Sequence, residues 1–164
     1  MSTVCAVSTP LAEGGISVIR ISGEKALEVA ERVFAPFSAF GSVREMKGYT
    51  CAYGRIIDPS TGETSDDALL TVFRSPKSYT GEDTAEISCH GGIYITKKVM
   101  RLCLENGCEP AERGEFTKKG ISQRKAFAYS GGIGYGHDLG SGGIYSAVGK
   151  AYKGGQAFSG IFQE

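Results

Sequence analysis

The sequence lacks a net charge, and it lacks an apolar run long enough to cross a bilayer. Lysine and arginine number 18 among the 164 residues, and aspartate and glutamate also number 18, so no overall field attracts nucleic acid or an anionic membrane. No run approaches the roughly 18 apolar residues of a membrane helix. The start, MSTVCAV, has no basic segment followed by an apolar one, which a secretory signal would show. We therefore expect a soluble, cytoplasmic protein that is not a general nucleic-acid binder.

The sequence also lacks a paired-cysteine motif and a phosphate loop. Its five cysteines include no Cys-x-x-Cys pair, which indicates reduced thiols, most of them in the core, and neither a disulfide framework nor a zinc site. Cys89 is the one candidate nucleophile among them. A phosphate loop around Gly149-Lys150 would need glycine at 144 and serine or threonine at 151, but Ile144 and Ala151 stand there. The chain has no evident means of binding a nucleoside triphosphate.

Glycine divides the chain into two parts of different composition. Residues 1–119 hold 12 of the 24 glycines, and the shorter stretch 120–164 holds the other 12. So much glycine disfavours a regular helix because of its backbone entropy. The length suits one core of roughly 100 to 200 residues. We therefore predict one domain over residues 1–119 and an irregular, glycine-rich tail over residues 120–164.

Within residues 1–119, β-prone and helix-periodic segments alternate. Strands are predicted at 3–7, 16–21 and 84–89, and a hairpin is predicted from runs at 48–57 and 68–73 around a Pro and Gly turn. Ser22 is the predicted N-cap of a helix whose apolar face includes Phe34 and which ends before Pro36. A second helix follows Gly91-Gly92 and ends at Asn106. The predicted fold class is α+β, a mixed β-sheet with helices on one side.

Two segments contain most of the residue types that perform chemistry. The first, residues 74–83, joins two β-runs and combines charges, hydroxyls and an aromatic ring; it is either a binding loop or a solvated turn. The second is His90 followed by two glycines, at a junction between strand and helix where backbone N–H groups could bind an anion. His90 could equally be an ordinary hydrogen-bonding residue. The carboxylates show no metal-ligand spacing, so no metal site is predicted.

Five motifs in this order resemble one known family. They are residues 8–16 (STPLAEGGI), 20–23 (RISG), 76–83 (PKSYTGED), 89–92 (CHGG) and 113–119 (RGEFTKK). Together they closely resemble the N-terminal domain of the MnmE (TrmE) family of tRNA-modification GTPases. The resemblance covers residues 1–119, and residues 120–164 show no match to the family.

The resemblance implies a fold and a function for this part of the chain. The family's N-terminal domain is similar to the tetrahydrofolate-binding domains of the glycine-cleavage aminomethyltransferase and dimethylglycine oxidase. The resemblance also implies that this part of the chain binds formyl-tetrahydrofolate as a one-carbon donor and forms a homodimer. The full-length family works with the flavoprotein MnmG on the wobble uridine of tRNA. GTP, potassium and magnesium would belong to a GTPase domain that this sequence does not show.

The residues with chemistry suited to a folate are Arg20, Tyr79, Glu82, His90 and Glu115. A carboxylate can accept from the donor edge of a pterin, an aromatic ring can stack on its face, and a guanidinium can bind an oxygen. Which of Glu82 and Glu115 accepts from the pterin stays open. Arg20 is expected at an exposed strand end, so that its loss would leave the melting temperature nearly unchanged.

Two other functions compete with a folate-binding module. One is a structural dimerisation fragment that binds no ligand. The other is a free-standing hydrolase built from the carboxylates and His90, which would need a metal site and a nucleophile that the sequence does not show.

Overall fold

One sheet of seven strands, with three α-helices, makes up the part of the chain that the computed structural model describes, residues 2–12, 14–37 and 41–129. The strands are β1 (Val4–Val7), β2 (Ile16–Ser22), β3 (Phe34–Pro36), β4 (Thr50–Ile57), β5 (Thr64–Phe73), β6 (Thr84–His90) and β7 (Glu109–Pro110). The helices are α1 (Ala26–Val33), α2 (Ile93–Glu105) and α3 (Glu115–Tyr129), with one short 3₁₀ turn at Val43–Glu45.

The strand order across the sheet is β3-β4-β5-β6-β2-β1-β7. Five of the neighbouring pairs are antiparallel, and the pair of β1 with β7 is parallel. The predicted mixed sheet and α+β class are therefore confirmed, as is the hairpin of β4 and β5. In the register of β2 with β6, Arg20 lies opposite Glu86, although 66 residues separate them along the chain.

The core lies between one face of the sheet, here called the inner face, and helices α1 and α2. Strand residues that alternate toward this face, such as Ile19, Ile21 and Ile87, are fully buried. Each of the two helices turns an apolar stripe to them, including Val29 in α1 and Val99 in α2. Burial of such side chains contributes about 1.5 to 3 kcal/mol each, so this layer holds the fold together.

The opposite, outer face has side chains of mixed character. Arg20, Glu86 and Leu69 point there because they alternate with core residues along their strands. Helices on one side were predicted, and this holds for α1 and α2. At the start of α3, however, Phe116 lies against the outer face beside Arg20.

Three local predictions were wrong, and each has a physical reason. Ser22 is not a helix N-cap, because it is the last residue of β2 and its hydroxyl bonds to Thr80. Phe34 does not extend α1, because it begins the edge strand β3, which pairs with β4. The expectation of no regular helix after residue 119 fails for 120–129, since α3 runs to Tyr129. The rest of the predicted tail, residues 130–164, lies outside the described residues.

Among the described helices, none is long and apolar enough to cross a membrane.

Candidate functional site

Arg20 and Glu86 form an ion pair on the outer face of the sheet. One carboxylate oxygen, Oε1 of Glu86, accepts a hydrogen bond from Nε of Arg20 at 2.7 Å and lies 2.7 Å from its Nη2. The side chains are 10% and 22% exposed. Arg20 is therefore not the exposed arginine that was expected. It stands within β2, and a loop and a helix cover it.

Two aromatic rings enclose the guanidinium of Arg20. Its central carbon lies 5.2 Å from the ring centre of Tyr79 and 5.5 Å from that of Phe116. The hydroxyl of Tyr79 also bonds to that of Thr117 at 2.9 Å. Such cation–π contacts strengthen as water is excluded. We call Arg20, Glu86, Tyr79 and Phe116 the Arg20 cluster.

The loop that carries Tyr79, residues 74–83, is held by its own polar groups. Asp83 accepts a hydrogen bond from Arg74 at 2.9 Å and another from the backbone N–H of Ser75 at 2.8 Å. The Ser75 hydroxyl donates to the carbonyl of Gly81, and that of Ser78 donates to the carbonyl of Glu82. These hydrogen bonds within the loop order it and so fix the position of Tyr79. The segment is therefore an ordered loop and not a solvated turn.

Glu82 is occupied by other partners. Its Oε2 accepts from Nζ of Lys119 at 2.9 Å and from the hydroxyl of Ser22 at 3.2 Å. Both members of the Lys119 pair are about nine-tenths buried, with side chains 10% and 11% exposed. Nζ of Lys119 also donates to the carbonyl of Ser2. Glu82 thus joins α3 to the sheet, and Lys119 joins α3 to the start of the chain.

Glu115 and His90 do not contact Arg20: Glu115 bonds locally at the start of α3, and His90 lies at the far end of β6. The carboxylate of Glu115 accepts from the backbone N–H of Glu112 at 2.8 Å, at the N-terminus of α3. Nδ1 of His90 and its backbone N–H both bond to Asp66, at 2.7 and 2.9 Å. Since His90 pairs with Ile16, four residues along β2 from Arg20, it lies roughly 13 Å from the Arg20 cluster. Of the five predicted residues, the structure brings Arg20 and Tyr79 into contact.

The surroundings of His90 do not form a nucleophilic site. Cys89 points to the core and is 3% exposed, and burial, with a smaller effect of the Asp66 charge, raises its pKa to about 11. A thiol with that pKa is protonated at neutral pH and is a poor nucleophile. Gly91 has a packing role, because a Cβ there would lie 2.2 Å from the carbonyl oxygen of Gly14.

No group of three or more His, Cys, Asp or Glu side chains in the described ranges is placed to hold a metal ion. The carboxylates named above bond instead to arginine, lysine, histidine or backbone N–H groups.

Sequence reasoning missed three residues of this region. Glu86 was not singled out among the carboxylates of the sequence, because its register with Arg20 depends on a distant strand. Phe116 and Lys119 lie in a recognised motif, RGEFTKK, but their roles depend on α3, which was not predicted. One signal was available for Glu86, since in an outward-facing position of a strand a lone carboxylate commonly pairs with a cross-strand arginine.

Gly120 explains how α3 approaches the loop so closely. A Cβ at this position would lie 2.5 Å from the carbonyl oxygen of Tyr79, which is closer than real Cβ contacts allow. Glycine here therefore costs helix propensity, about 1 kcal/mol relative to alanine, but permits contact between backbones. Gly120 was counted with the tail by composition, and the structure places it against the domain.

The fold and this site define a class: an α+β domain with a mixed sheet, whose outer face holds an arginine–glutamate pair beneath two aromatic rings. The family model "GTP-binding protein TrmE N-terminus" matches residues 3–125. The chain belongs to this family.

Several relatives share the matched region. A tRNA modification GTPase MnmE of Carboxydothermus hydrogenoformans is 48% identical over 117 residues, 71% of this chain and 25% of that protein. The protein of the same name from Lactobacillus acidophilus is 46% identical over 117 residues, 71% of this chain and 24% of its own length. That of Parabacteroides distasonis is 42% identical over 125 residues, 76% of this chain and 27% of its own. The chain spans about a quarter of the length of these relatives.

Proposed function

We propose that this chain is a folate-binding, dimerising N-terminal module of a tRNA-modification GTPase that acts on the wobble uridine. Family membership supports the general role, since the relatives carry the name tRNA modification GTPase. The Arg20 cluster carries the ligand proposal, because it places a fixed guanidinium, a carboxylate and the ring of Tyr79 together. The module would take part in tRNA processing in the cytoplasm, with MnmG as its partner. GTP, potassium and magnesium would bind a GTPase domain and not these residues.

The residues of the cluster fit the chemistry of a pterin. Among the described residues, Oε2 of Glu86 has no hydrogen-bond partner, whereas Oε1 is taken by Arg20. A carboxylate oxygen in that state can accept from a planar donor edge. Glu82 and Glu115 likewise use only Oε2 in the hydrogen bonds of the described residues, so we propose Glu86 as the acceptor because it is the carboxylate in contact with Arg20. When bound, formyl-tetrahydrofolate would supply the one-carbon unit, and this chain would hold and orient it.

Calorimetric titration of the purified chain with formyl-tetrahydrofolate tests this proposal. The Arg20→Lys variant keeps the charge but loses the planar fork, and we expect its affinity to fall about tenfold or more, since a charge-assisted hydrogen bond contributes about 1.5 to 3 kcal/mol. Arg101→Lys is the matched control, because Arg101 is an exposed arginine of α2, and its affinity should equal that of the wild type. Saturable heat in the wild type supports the proposal, and its absence refutes it.

The alternative function is a structural dimerisation fragment without ligand binding. One observation favours it: Arg20 is only 8% exposed, and Glu86 already neutralises it. A titration without heat, by a chain that still forms dimers, would decide for this alternative.

A patch on the outer face supports the proposed homodimer. Phe37, Tyr53 and Leu69 are 46%, 53% and 45% exposed. The rings of Phe37 and Tyr53 lie 4.9 Å apart, and Leu69 is directly opposite Tyr53 in the sheet. Neighbouring exposed apolar side chains of this kind mark interaction sites. We propose that a second copy of the chain covers them.

Light scattering over a range of concentrations tests the dimer. We expect a dimer mass for the wild type and a monomer mass for Leu69→Glu, because a charge would be buried in the contact. Leu11→Glu is the control, since Leu11 is also exposed but lies outside the patch. A wild-type monomer at every concentration, or equal association of Leu69→Glu, would contradict the proposal.

A further inference from the structure

Helix α3 covers Arg20, yet its described side chains bury little apolar surface. In α1, five residues are buried, and in α2, four are. From Glu115 to Gln123, by contrast, only Gly120 is buried, and Ile121 is 50% exposed. Most of the stability of protein helices comes from packing of an apolar face. The start of α3 is therefore held to the domain in a different way from the other helices.

Polar and backbone contacts, most of them with one loop, take the place of apolar packing; Lys119 also donates to the carbonyl of Ser2, and Phe116 lies beside Arg20. Thr117 bonds to the hydroxyl of Tyr79 at 2.9 Å. Lys119 pairs with Glu82 at 2.9 Å, and Gly120 lies against the backbone of Tyr79. These three contacts with the loop all reach residues 79–82. Elements with few buried apolar contacts open at lower free energy than the core does, so α3 can separate from this loop while the sheet stays folded.

The packing of α3 on the loop is also incomplete. A cleft of about 440 Å³ opens along it, with an acidic and polar lining: Glu24, Ser75, Gly81, Glu82, Asp83 and Gln123. Within this lining Asp83 is paired with Arg74, and Glu82 is paired with Lys119. The Lys119 pair therefore closes α3 onto the loop at the edge of an open cleft.

We propose that α3 is a latch, fastened by the Lys119–Glu82 ion pair, and that its release exposes Arg20 to ligand. The identity of the ligand rests on the proposed function. The opening of α3 does not, because it is inferred from the contacts of the helix alone. With Phe116 beside the guanidinium and Arg20 8% exposed, a ligand of Arg20 has to compete with α3. The apparent dissociation constant is then the intrinsic one divided by the fraction of chains with α3 released.

The charge of Lys119 determines how often the latch opens. Lys119→Met retains a long apolar stem and removes the charge, leaving Glu82 without its cationic partner. Breaking a buried pair shifts the equilibrium strongly. Lys118→Met is the matched control: Lys118 is the preceding residue in the same helix, but it is exposed and has no ion-pair partner among the described residues.

Hydrogen exchange of the full chain without ligand is the first test. In Lys119→Met we expect amides of residues 115–123 and 78–82 to exchange about tenfold faster than in the wild type, as expected for loss of about 1.4 kcal/mol. Amides of β2 and β6 and the Lys118→Met control should match the wild type. Unchanged exchange, or faster exchange throughout the sheet, would overturn the latch. Glu82→Gln gives an independent second measurement of the same release, with the same expected result.

Titration with formyl-tetrahydrofolate is the second test. Lys119→Met should bind more tightly than the wild type by the factor by which exchange accelerates, because the cost of opening is reduced. Equal or weaker binding would overturn the role of the latch in ligand access. If no variant binds the folate at all, the proposed function fails, and the exchange result still decides whether α3 opens.

Discussion

Replacing Arg20 with alanine should destabilise the domain, although the sequence alone suggested a harmless change. The substitution removes the partner of Glu86, whose side chain is only 22% exposed. It also removes the cation held between Tyr79 and Phe116. The carboxylate left behind must either stay partly buried without a partner or reach solvent by moving the covering loop. Both outcomes raise the free energy of the folded state.

The structure allows the size of this effect to be worked out. Breaking a fully buried ion pair costs about 3 to 5 kcal/mol, and the partial exposure of Glu86 places this pair at about 2 kcal/mol, toward the range of exposed pairs. Two cation–π contacts contribute about 0.5 to 1 kcal/mol each. The expected loss is about 3 kcal/mol, which for a chain of this length lowers the melting temperature by about 6 to 12 °C.

Urea unfolding followed by circular dichroism measures this loss. Arg55→Ala is the control, because Arg55 also lies over an aromatic ring, at 4.7 Å from that of Phe37, and 3.8 Å from a carboxylate of Asp67. Its side chain is 55% exposed, so we expect less than about 1 kcal/mol. Arg20→Ala combined with Glu86→Ala should lose less than the two single variants added together. The reasoning is refuted if Arg20→Ala costs no more than Arg55→Ala.

Two further outcomes test the packing and the charges of the domain. Gly120→Ala should lower stability in thermal unfolding, because its Cβ would meet a carbonyl oxygen of the loop at 2.5 Å. This holds although alanine favours helices by about 1 kcal/mol. Gly92→Ala is the control and should not lower stability, because the space around its Cβ is open. Glu31→Gln should cost about 0.5 to 1 kcal/mol at pH 7: burial raises the pKa of this carboxyl, but hydrogen bonds from Ser42 and Arg44 outweigh it and hold the pKa below its ordinary value. A carboxyl with a lowered folded-state pKa stabilises the fold above its unfolded pKa and loses that effect as the pH falls through the folded value. The difference between the two proteins should therefore shrink as the pH falls through the folded-state pKa of Glu31 and vanish below it; a difference that persists in strong acid would contradict this.

The periodic elements could be predicted from the sequence, and the contacts between distant elements could not. Strands β2, β4, β5 and β6 and helix α2 follow from alternating or helical patterns bounded by Gly, Pro or Asn. Phe34 was misassigned because the local sequence is compatible with two structures. Its spacing from the preceding apolar residues suits a helix, and the β-propensity of phenylalanine suits a strand. Only the pairing of β3 with β4 decides between them.

The site shows the same limit. Arg20 and Tyr79 stood out because their motifs are distinctive, but the partner of Arg20 is set by a register between strands 66 residues apart. Glu82 and Glu115 were equivalent as acceptors in the sequence, since nothing local shows that Lys119 would bond to one and a backbone N–H before α3 to the other. Gly120 was misjudged by propensity, because the reason for a glycine there lies in another segment.

The place of β1 and β2 in the sheet has a consequence for how the chain folds during synthesis. These two strands precede the other described strands in the sequence, but the other neighbour of β2 is β6, and the other neighbour of β1 is β7. Their hairpin therefore emerges from the ribosome with both edges unpaired, and isolated hairpins are marginal in water. Pairings so far apart in the chain form slowly, because their loops must close first. The nascent chain thus exposes two apolar strands until residues 84–110 have been made, and unpaired strand edges favour aggregation in that interval.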